Sequence, residues 1–170
     1  VEQCAEKGVK GLVVISAGFS EVGDEGKARE AELLDLVRGH GMRMVGPNCM
    51  GVINTSPGVS MNATFAPAMP PNGRIAFMSQ SGAMGMTILD YAMEYGIGIS
   101  QFVSIGNKAD VSGNDLIEYW QDDDDVGVIL MYIEGFGNPR HFTTLARRAT
   151  RRKPVLAVKA GRSEAGAKAA

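Results

Sequence analysis

Between Arg74 and Gly166 the chain repeats one arrangement: a short apolar run ends in a turn of small and polar residues, and helix-patterned sequence follows. The runs are RIAFMS (74–79), SQFVS (100–104), GVILMYI (127–133) and VLAVK (155–159). The turns read SQSGAMG, SIGNKADVSGND, IEGFGNPRHF and KAGRSEAG. Strands without polar alternation are strands covered on both faces, which is the pattern of a parallel sheet with helical crossovers. Such a sheet binds ligands at the carboxyl ends of its strands, where turn backbone and helix N-termini converge. All four turns are therefore expected on one rim, and the chemistry is expected there too.

The stretches between the runs support this architecture. Met84, Thr87, Ile88, Tyr91, Ala92 and Tyr95 recur at helical spacing and predict one buried stripe. Ser112 is placed to cap a helix with Leu116, Ile117 and Trp120 inward, and Asn138 with Pro139 opens another with Phe142, Leu145, Ala146 and Ala149 inward. The run 127–133 is the most apolar and is expected at the centre of the sheet. The acidic run Asp122 to Asp125 reads as a solvated turn, because adjacent carboxylates repel and gain nothing from burial. The basic cluster Arg147, Arg148, Arg151, Arg152 and Lys153 falls at a helix end, where it complements the dipole.

Upstream, residues 2–7 read as the end of a helix, 11–16 (GLVVIS) as a buried strand, 26–38 as a helix with Ala31, Leu34 and Val37 on one face, and 43–45 as a second strand. Two strands cannot bury both faces alone. Residues 1–52 are therefore expected to be the back half of an α/β domain whose front half lies outside the chain. Residues 53–72, rich in Pro, Gly, Ser and Asn and without period, read as a connector. Residues 73–170 read as a second parallel α/β unit that stops after a strand without its helix, so both units are expected to be incomplete.

Composition excludes several functions. With 17 Lys and Arg against 19 Asp and Glu in 170 residues there is no basic excess for nucleic acid. No stretch of these residues is apolar enough for a membrane span, and none reads as a signal peptide. Cys4 and Cys49 are too few and too distant for a disulfide framework or a metal site, so a reducing cytoplasm is expected. His40 and His141 have no sequence partners and read as surface residues. At the strand-to-helix turn, Ser79, Ser81, Gly82 and Ala83 offer backbone amides and a helix dipole to an anion such as phosphate; the alternative is a tight turn that needs only space. Glu134 follows an apolar strand, partly shielded, and needs a partner; the alternative is a carboxylate satisfied by helix N-terminal amides.

Five co-linear segments, GPNCMGVINT (46–55), GRIAFMSQSGAMG (73–85), SIGNKADVSGNDLIEYW (104–120), VGVILMYIEGF (126–136) and KPVLAVKAGRS (153–163), resemble the NDP-forming acyl-CoA synthetases related to the succinyl-CoA synthetase α subunit. The resemblance implies the end of a Rossmann-type CoA-binding domain (1–52) followed by a succinyl-CoA ligase-like, flavodoxin-like domain with a doubly wound parallel sheet (73–170). It implies that Ser16, Gly18, Phe19 and Ser20 form a CoA-contacting turn, that Pro47, Asn48 and Cys49 lie near the thiol end of CoA, and that Gly106, Asn107, Lys108 and Asp110 form a substrate or phosphate loop. The Cys49 side chain also fits a small buried hydrophobe, and the 106–110 residues also fit turn chemistry. Glu134 matches the carboxylate that orients a phosphorylated histidine, which the family carries in a segment resembling SHTGA beyond Ala170, so this chain alone is not expected to turn over. ATP or ADP and Mg2+ are implied only through an ATP-grasp domain or β subunit. Two other readings are a synthetase-like module that senses CoA or acetyl-CoA beside a fused acetyltransferase domain, and a flavodoxin-like FMN binder.

Overall fold

The computed structural model describes residues 1–161. The first part holds α1 (Glu2–Glu6), β1 (Gly11–Val13), a 3-10 turn at Ser20–Val22, α2 (Asp24–Gly39) and β2 (Arg43–Val45). Strands β1 and β2 pair in parallel, Gly11 opposite Arg43 and Val13 opposite Val45. The strand expected to reach Ser16 pairs only to Val13 because β2 ends at Val45 and turns away through Gly46 and Pro47. Val37 of α2 packs with Met42 and Met44 on one face, with Leu33 and Leu12 beside them. Val13 and Ile15 stay exposed, as suits a pair of strands too small to cover both faces.

The second sheet contains β3 (Gly51–Asn54), β4 (Met61–Thr64), β5 (Asn72–Ser79), β6 (Ile99–Ser104), β7 (Val128–Ile133) and β8 (Val155–Lys159), in the order β4-β3-β6-β5-β7-β8. Strands β5 to β8 are mutually parallel where they pair. The segment 53–72, expected as a plain connector, is instead part of this sheet. Strand β3 pairs antiparallel with β6, Val52 opposite Val103, and β4 adds an outer antiparallel strand. Ser56, Pro57, Gly58 and Ser60 form the hairpin turn between two four-residue strands, Pro67, Pro70 and Pro71 lead from β4 to β5, and of the two strands only β3 shows burial alternation. Thr55 Oγ1 fixes the hairpin by donating to Ile99 O at 2.6 Å. The fold is thus α/β with a mixed, largely parallel sheet.

Helix α3 (Gly82–Glu94) covers one face, and α4 (Gly113–Trp120) and α5 (Pro139–Ala149) cover the other. Phe77, Phe102, Leu89 and Ala92 make the core under α3; Met78, Met131, Trp120 and Leu145 make the core under α4 and α5. Both predicted caps form: Ser112 and Asp115 close a capping box, and Asn138 Oδ1 accepts the His141 N–H at 3.1 Å with Pro139 in the first turn. On α3 the expected stripe is rotated. Gly85, Leu89 and Ala92 face inward, while Met84, Tyr91 and Tyr95 are exposed. The cause is close packing at Gly85, where a Cβ would lie 2.9 Å from Phe102 Cζ, so the smallest side of the helix meets the sheet. Strand β7 is internal, but the middle pair is β6 and β5.

The acidic run is more than a solvated turn. Asp123 Oδ2 accepts from Gln101 Nε2 at 2.8 Å, Asp122 pairs with Arg152, and Lys153 Nζ donates to Trp120 O at 2.8 Å and to Asp123 O. Part of the basic cluster therefore answers the acids directly. Because α3 leaves β5 on one face and α4 leaves β6 on the other, a crevice opens between their starts at the carboxyl ends of the strands.

Candidate functional site on the strand rim

The turns after β5, β6 and β7 and the end of β8 meet as the repeated pattern predicts; the fourth turn is described only to Gly161. Together with Ser20, Glu21 and Asn48 of the first part they line an open pocket of about 490 Å3 that holds Gln80, Gly106, Asn107, Lys108, Glu134 and Gly135. Glu134 is half-buried at the tip of β7. Its backbone is fixed by a residue the sequence reading did not single out: Gln80 Oε1 accepts the N–H groups of Glu134 at 2.5 Å and Gly135 at 2.7 Å, and Gln80 Nε2 donates to Gly135 O at 2.6 Å. Lys159 Nζ adds a bond to Glu134 O at 2.8 Å, and Lys108 Nζ reaches Gly135 O at 3.3 Å. Burial holds the Lys108 ammonium below its ordinary value; the Glu134 charge opposes this and the Lys159 charge adds to it.

At the start of α3, Ser81 is the N-cap and its Oγ accepts the Met84 N–H at 3.3 Å. The amides of Gly82 and Ala83 open the helix and, as in any first turn, have no intrahelical acceptor. Ser79 is fully buried and its Oγ donates to Ser81 O at 2.6 Å, so its hydroxyl shapes the turn and is not free for a ligand. A Cβ at Gly82 would meet nothing closer than Met50 Cβ at 3.8 Å. The closely packed glycine is Gly85, in the first turn of α3, against Phe102. Ser81 and Gly82 are half-buried and Ala83 is exposed at the start of α3.

The loop 106–110 divides by function. Gly106 has φ 51, and a Cβ there would lie 2.3 Å from the carbonyl oxygens of Pro47 and Asn48, so only glycine lets the two turns touch. Asn107 crosses between the parts: its Nδ2 donates to Glu21 Oε2 at 2.6 Å and Glu30 Oε2 at 2.8 Å, and its Oδ1 accepts from Asn48 Nδ2 at 3.2 Å. Asp110 does not face the pocket, which corrects its expected place in a substrate or phosphate loop. Its carboxylate has no exposure and accepts from Arg38 Nη2 at 2.9 Å, Arg43 Nε at 2.9 Å and the Met44 N–H at 2.8 Å. Burial would raise that carboxyl, but the Arg43, Met44 and Arg38 donors outweigh it and hold it below the carboxylate range.

In the first part, the turn 16–20 carries its own anion. Glu21 Oε1 accepts the N–H groups of Gly18 at 2.5 Å and Phe19 at 3.1 Å, and Glu30 Oε2 accepts that of Ser20 at 3.2 Å. Desolvation pushes Glu21 up, yet the bonds from Asn107 and these amides win and set it at about 2. Ser16 is exposed, and its carbonyl accepts the Asn48 N–H at 3.0 Å, joining the turn to the Pro47–Cys49 loop. Cys49 is buried with its Sγ against Val14 O at 3.3 Å, and burial pushes its thiol up, so it is a packed, unreactive side chain. Pro47 is buried behind the loop, and Asn48 alone of the three reaches the rim pocket. His40 and His141 are exposed at helix ends.

Comparison with known proteins agrees with this geometry. Residues 1–55 match a CoA binding domain, and residues 72–170 match a succinyl-CoA ligase like flavodoxin domain. An ADP-forming acetate–CoA ligase I of Archaeoglobus fulgidus is 49% identical over 170 residues, covering all of this chain and 24% of the relative. Subunit alpha of ADP-forming acetate–CoA ligase II from Pyrococcus furiosus is 47% identical over 168 residues, covering 99% of this chain and 36% of the relative. Among solved structures, the dinucleotide forming acetyl-coenzyme A synthetase 1 of Ca. Korarchaeum cryptofilum, in complex with phosphate and ADP, superposes with a TM-score of 0.91 at 43% identity, covering 99% of this chain and 36% of that one. The chain belongs to the succinyl-CoA ligase-like family of NDP-forming acyl-CoA synthetases. It spans 24% to 36% of the length of these relatives.

Proposed function

We propose that this chain is the CoA-binding and acyl-transfer part of an ADP-forming acyl-CoA synthetase, an acid–thiol ligase interconverting acyl-CoA, phosphate and ADP with acid, CoA and ATP. The observation that carries the reading is the pocket in which the half-buried Glu134, the loop 106–108 and the turn of the CoA binding domain meet, beside the α3 N-terminus. An acyl carrier, an anion and an orienting carboxylate are what the reaction needs in one place. The relatives are ligases by name, which favours turnover over a sensing module or a flavin site.

In this reading CoA lies along Ser16, Gly18, Phe19 and Ser20 and passes Asn48. Phosphate sits at Ser81, Gly82 and Ala83, where free amides and the helix dipole stabilise it and its transition-state charge. A phosphate oxygen attacks the thioester carbonyl, the C–S bond breaks, and the sulfur leaves as CoA thiolate, which takes a proton. The acyl phosphate then passes its phosphoryl group to an imidazole nitrogen of a histidine carried elsewhere in the protein, releasing the carboxylate of the acid. Glu134 accepts the N–H of that ring, fixing the tautomer and offsetting the positive charge that forms. The phosphoryl group ends on ADP, held with Mg2+ by an ATP-grasp domain or subunit. The work of the chain is positioning and charge stabilisation. Two free thiols, Cys4 and Cys49, suit a reducing cytoplasm.

The test is to supply the full-length protein that carries this chain with acyl-CoA, phosphate, ADP and Mg2+. ATP and free CoA should appear in equal amounts. Binding of CoA without any ATP formation from short or longer acyl esters would contradict the reading.

A further inference from the structure

Strands β5 and β7 pair in parallel as far as Ser79 opposite Tyr132, and there the two chains part, β5 toward the N-cap of α3 and β7 toward Glu134. Gln80 stands at the parting, half-buried. Its N–H donates to Tyr132 O at 3.1 Å, and its side chain carries the ladder one step beyond the last backbone pair. Oε1 accepts the N–H groups of both Glu134 and Gly135, and Nε2 donates back to Gly135 O. A carboxamide thus stands in for a peptide group, with acceptor and donor fixed on one plane. Glutamate in its place would keep only the acceptor, and methionine, of similar length, neither. The other side chains on this segment are Lys159, with Nζ on Glu134 O, and Lys108, with Nζ on Gly135 O; both reach carbonyls from flexible stems. The amides of Glu134 and Gly135 therefore depend on Gln80.

Gln80 also precedes Ser81, the residue that caps α3. One side chain thereby joins the carboxylate at the tip of β7 to the helix start at which the proposed function puts phosphate. We propose that Gln80 is a positioning residue for the phosphoryl relay: through the Glu134 and Gly135 backbone it fixes where the Glu134 carboxylate stands relative to the first turn of α3. The inference rests on the ligase reading, which gives Gln80 no part. A carboxylate orients its partner ring only within hydrogen-bond reach, and a misplacement of about 1 Å costs on the order of a hundredfold in rate.

The test measures ATP formation by the full-length protein from acetyl-CoA, phosphate, ADP and Mg2+, in the wild type, Gln80→Met, Gln80→Glu, Glu134→Gln and the double variant Gln80→Met with Glu134→Gln. Gln80→Met should lower kcat by roughly ten- to a hundredfold and leave KM for acetyl-CoA within about twofold of the wild type. Gln80→Glu, which keeps an acceptor for both amides, should lose less. Because Gln80 acts through Glu134, adding Gln80→Met to Glu134→Gln should slow the enzyme by no more than about twofold further. A residue that merely stabilised the fold would slow both backgrounds alike. The proposal is overturned by an unchanged kcat in a folded Gln80→Met, by losses that multiply in the double variant, or by a rise in KM at constant kcat. Should Gln80→Met fail to fold, Gln80→Glu in the two backgrounds gives the same comparison. ATP formation indifferent to Gln80 would sink the positioning role and leave the ligase reading standing. A wild-type protein that makes no ATP from acetyl-CoA or from longer acyl esters would sink both.

Discussion

Lys108 and Asp110 stand two residues apart in one loop, yet one faces the rim and the other the joint between the two parts of the chain. The Asp110 carboxylate is saturated by two arginines and a backbone amide, all at or below 3.2 Å. Lys108 has a single long bond to a carbonyl. Full satisfaction makes a structural joint, because every lone pair already has a donor; an unmet charge beside a cavity is where a ligand gains most. Glu134 belongs with Lys108: its backbone is tied by Gln80 and Lys159, while its side chain remains in the pocket.

The change that should most strongly break the joint is Asp110→Ala. It leaves Arg38, Arg43 and the Met44 amide without their acceptor and should cost about 3 kcal/mol, read as a lower urea midpoint at unchanged slope. On the rim, Glu134→Gln should leave that midpoint in place and slow turnover of the full-length enzyme by about a hundredfold or more, with CoA affinity retained. An equal loss of stability in both variants would erase the contrast between joint and rim.

Smaller effects sharpen it. Gly106→Ala forces a Cβ onto the Pro47 and Asn48 carbonyls at positive φ and should cost about 1–3 kcal/mol, with CoA affinity falling as the two turns separate. Asp110 is also a pH lever. Its folded pKa is depressed, so its contribution is complete above the ordinary carboxylate range and is lost as pH falls through the lowered value. Acid unfolding of Asp110→Asn should accordingly lack part of the wild-type slope. Arg148→Ala removes only the exposed pair with Glu118 and a bond to Gln121, and should change stability by less than about 1 kcal/mol.

The rim was legible because it follows from local pattern: apolar runs, caps at Ser112 and Asn138, and turns after β5, β6 and β7, which the sheet order brings together with the end of β8. The hairpin β3–β4 was not, since its strands are short and its pairing with β6 spans about fifty residues of sequence. The face of α3 was ambiguous for a different reason. Two overlapping apolar stripes share Ala92, and only the contact of Gly85 with Phe102 decides between them. Asp110 was misplaced because spacing cannot show which side of a loop a carboxylate faces, and its partners Arg38 and Arg43 lie in the other part of the chain. Gln80 sat within the SQSG turn, but a neutral amide gives no sequence signal until its three bonds to Glu134 and Gly135 are seen.

In the proposed function Glu134 on this rim serves a phosphoryl relay. Incubation of the full-length protein with labelled ATP, followed by treatment with acid and with base, tests it directly. The wild type should give an acid-labile, base-stable phosphoprotein, and Glu134→Gln should carry little label at equal CoA affinity. Label that is indifferent to Glu134→Gln, or no label in a wild-type protein that binds ADP, would contradict it.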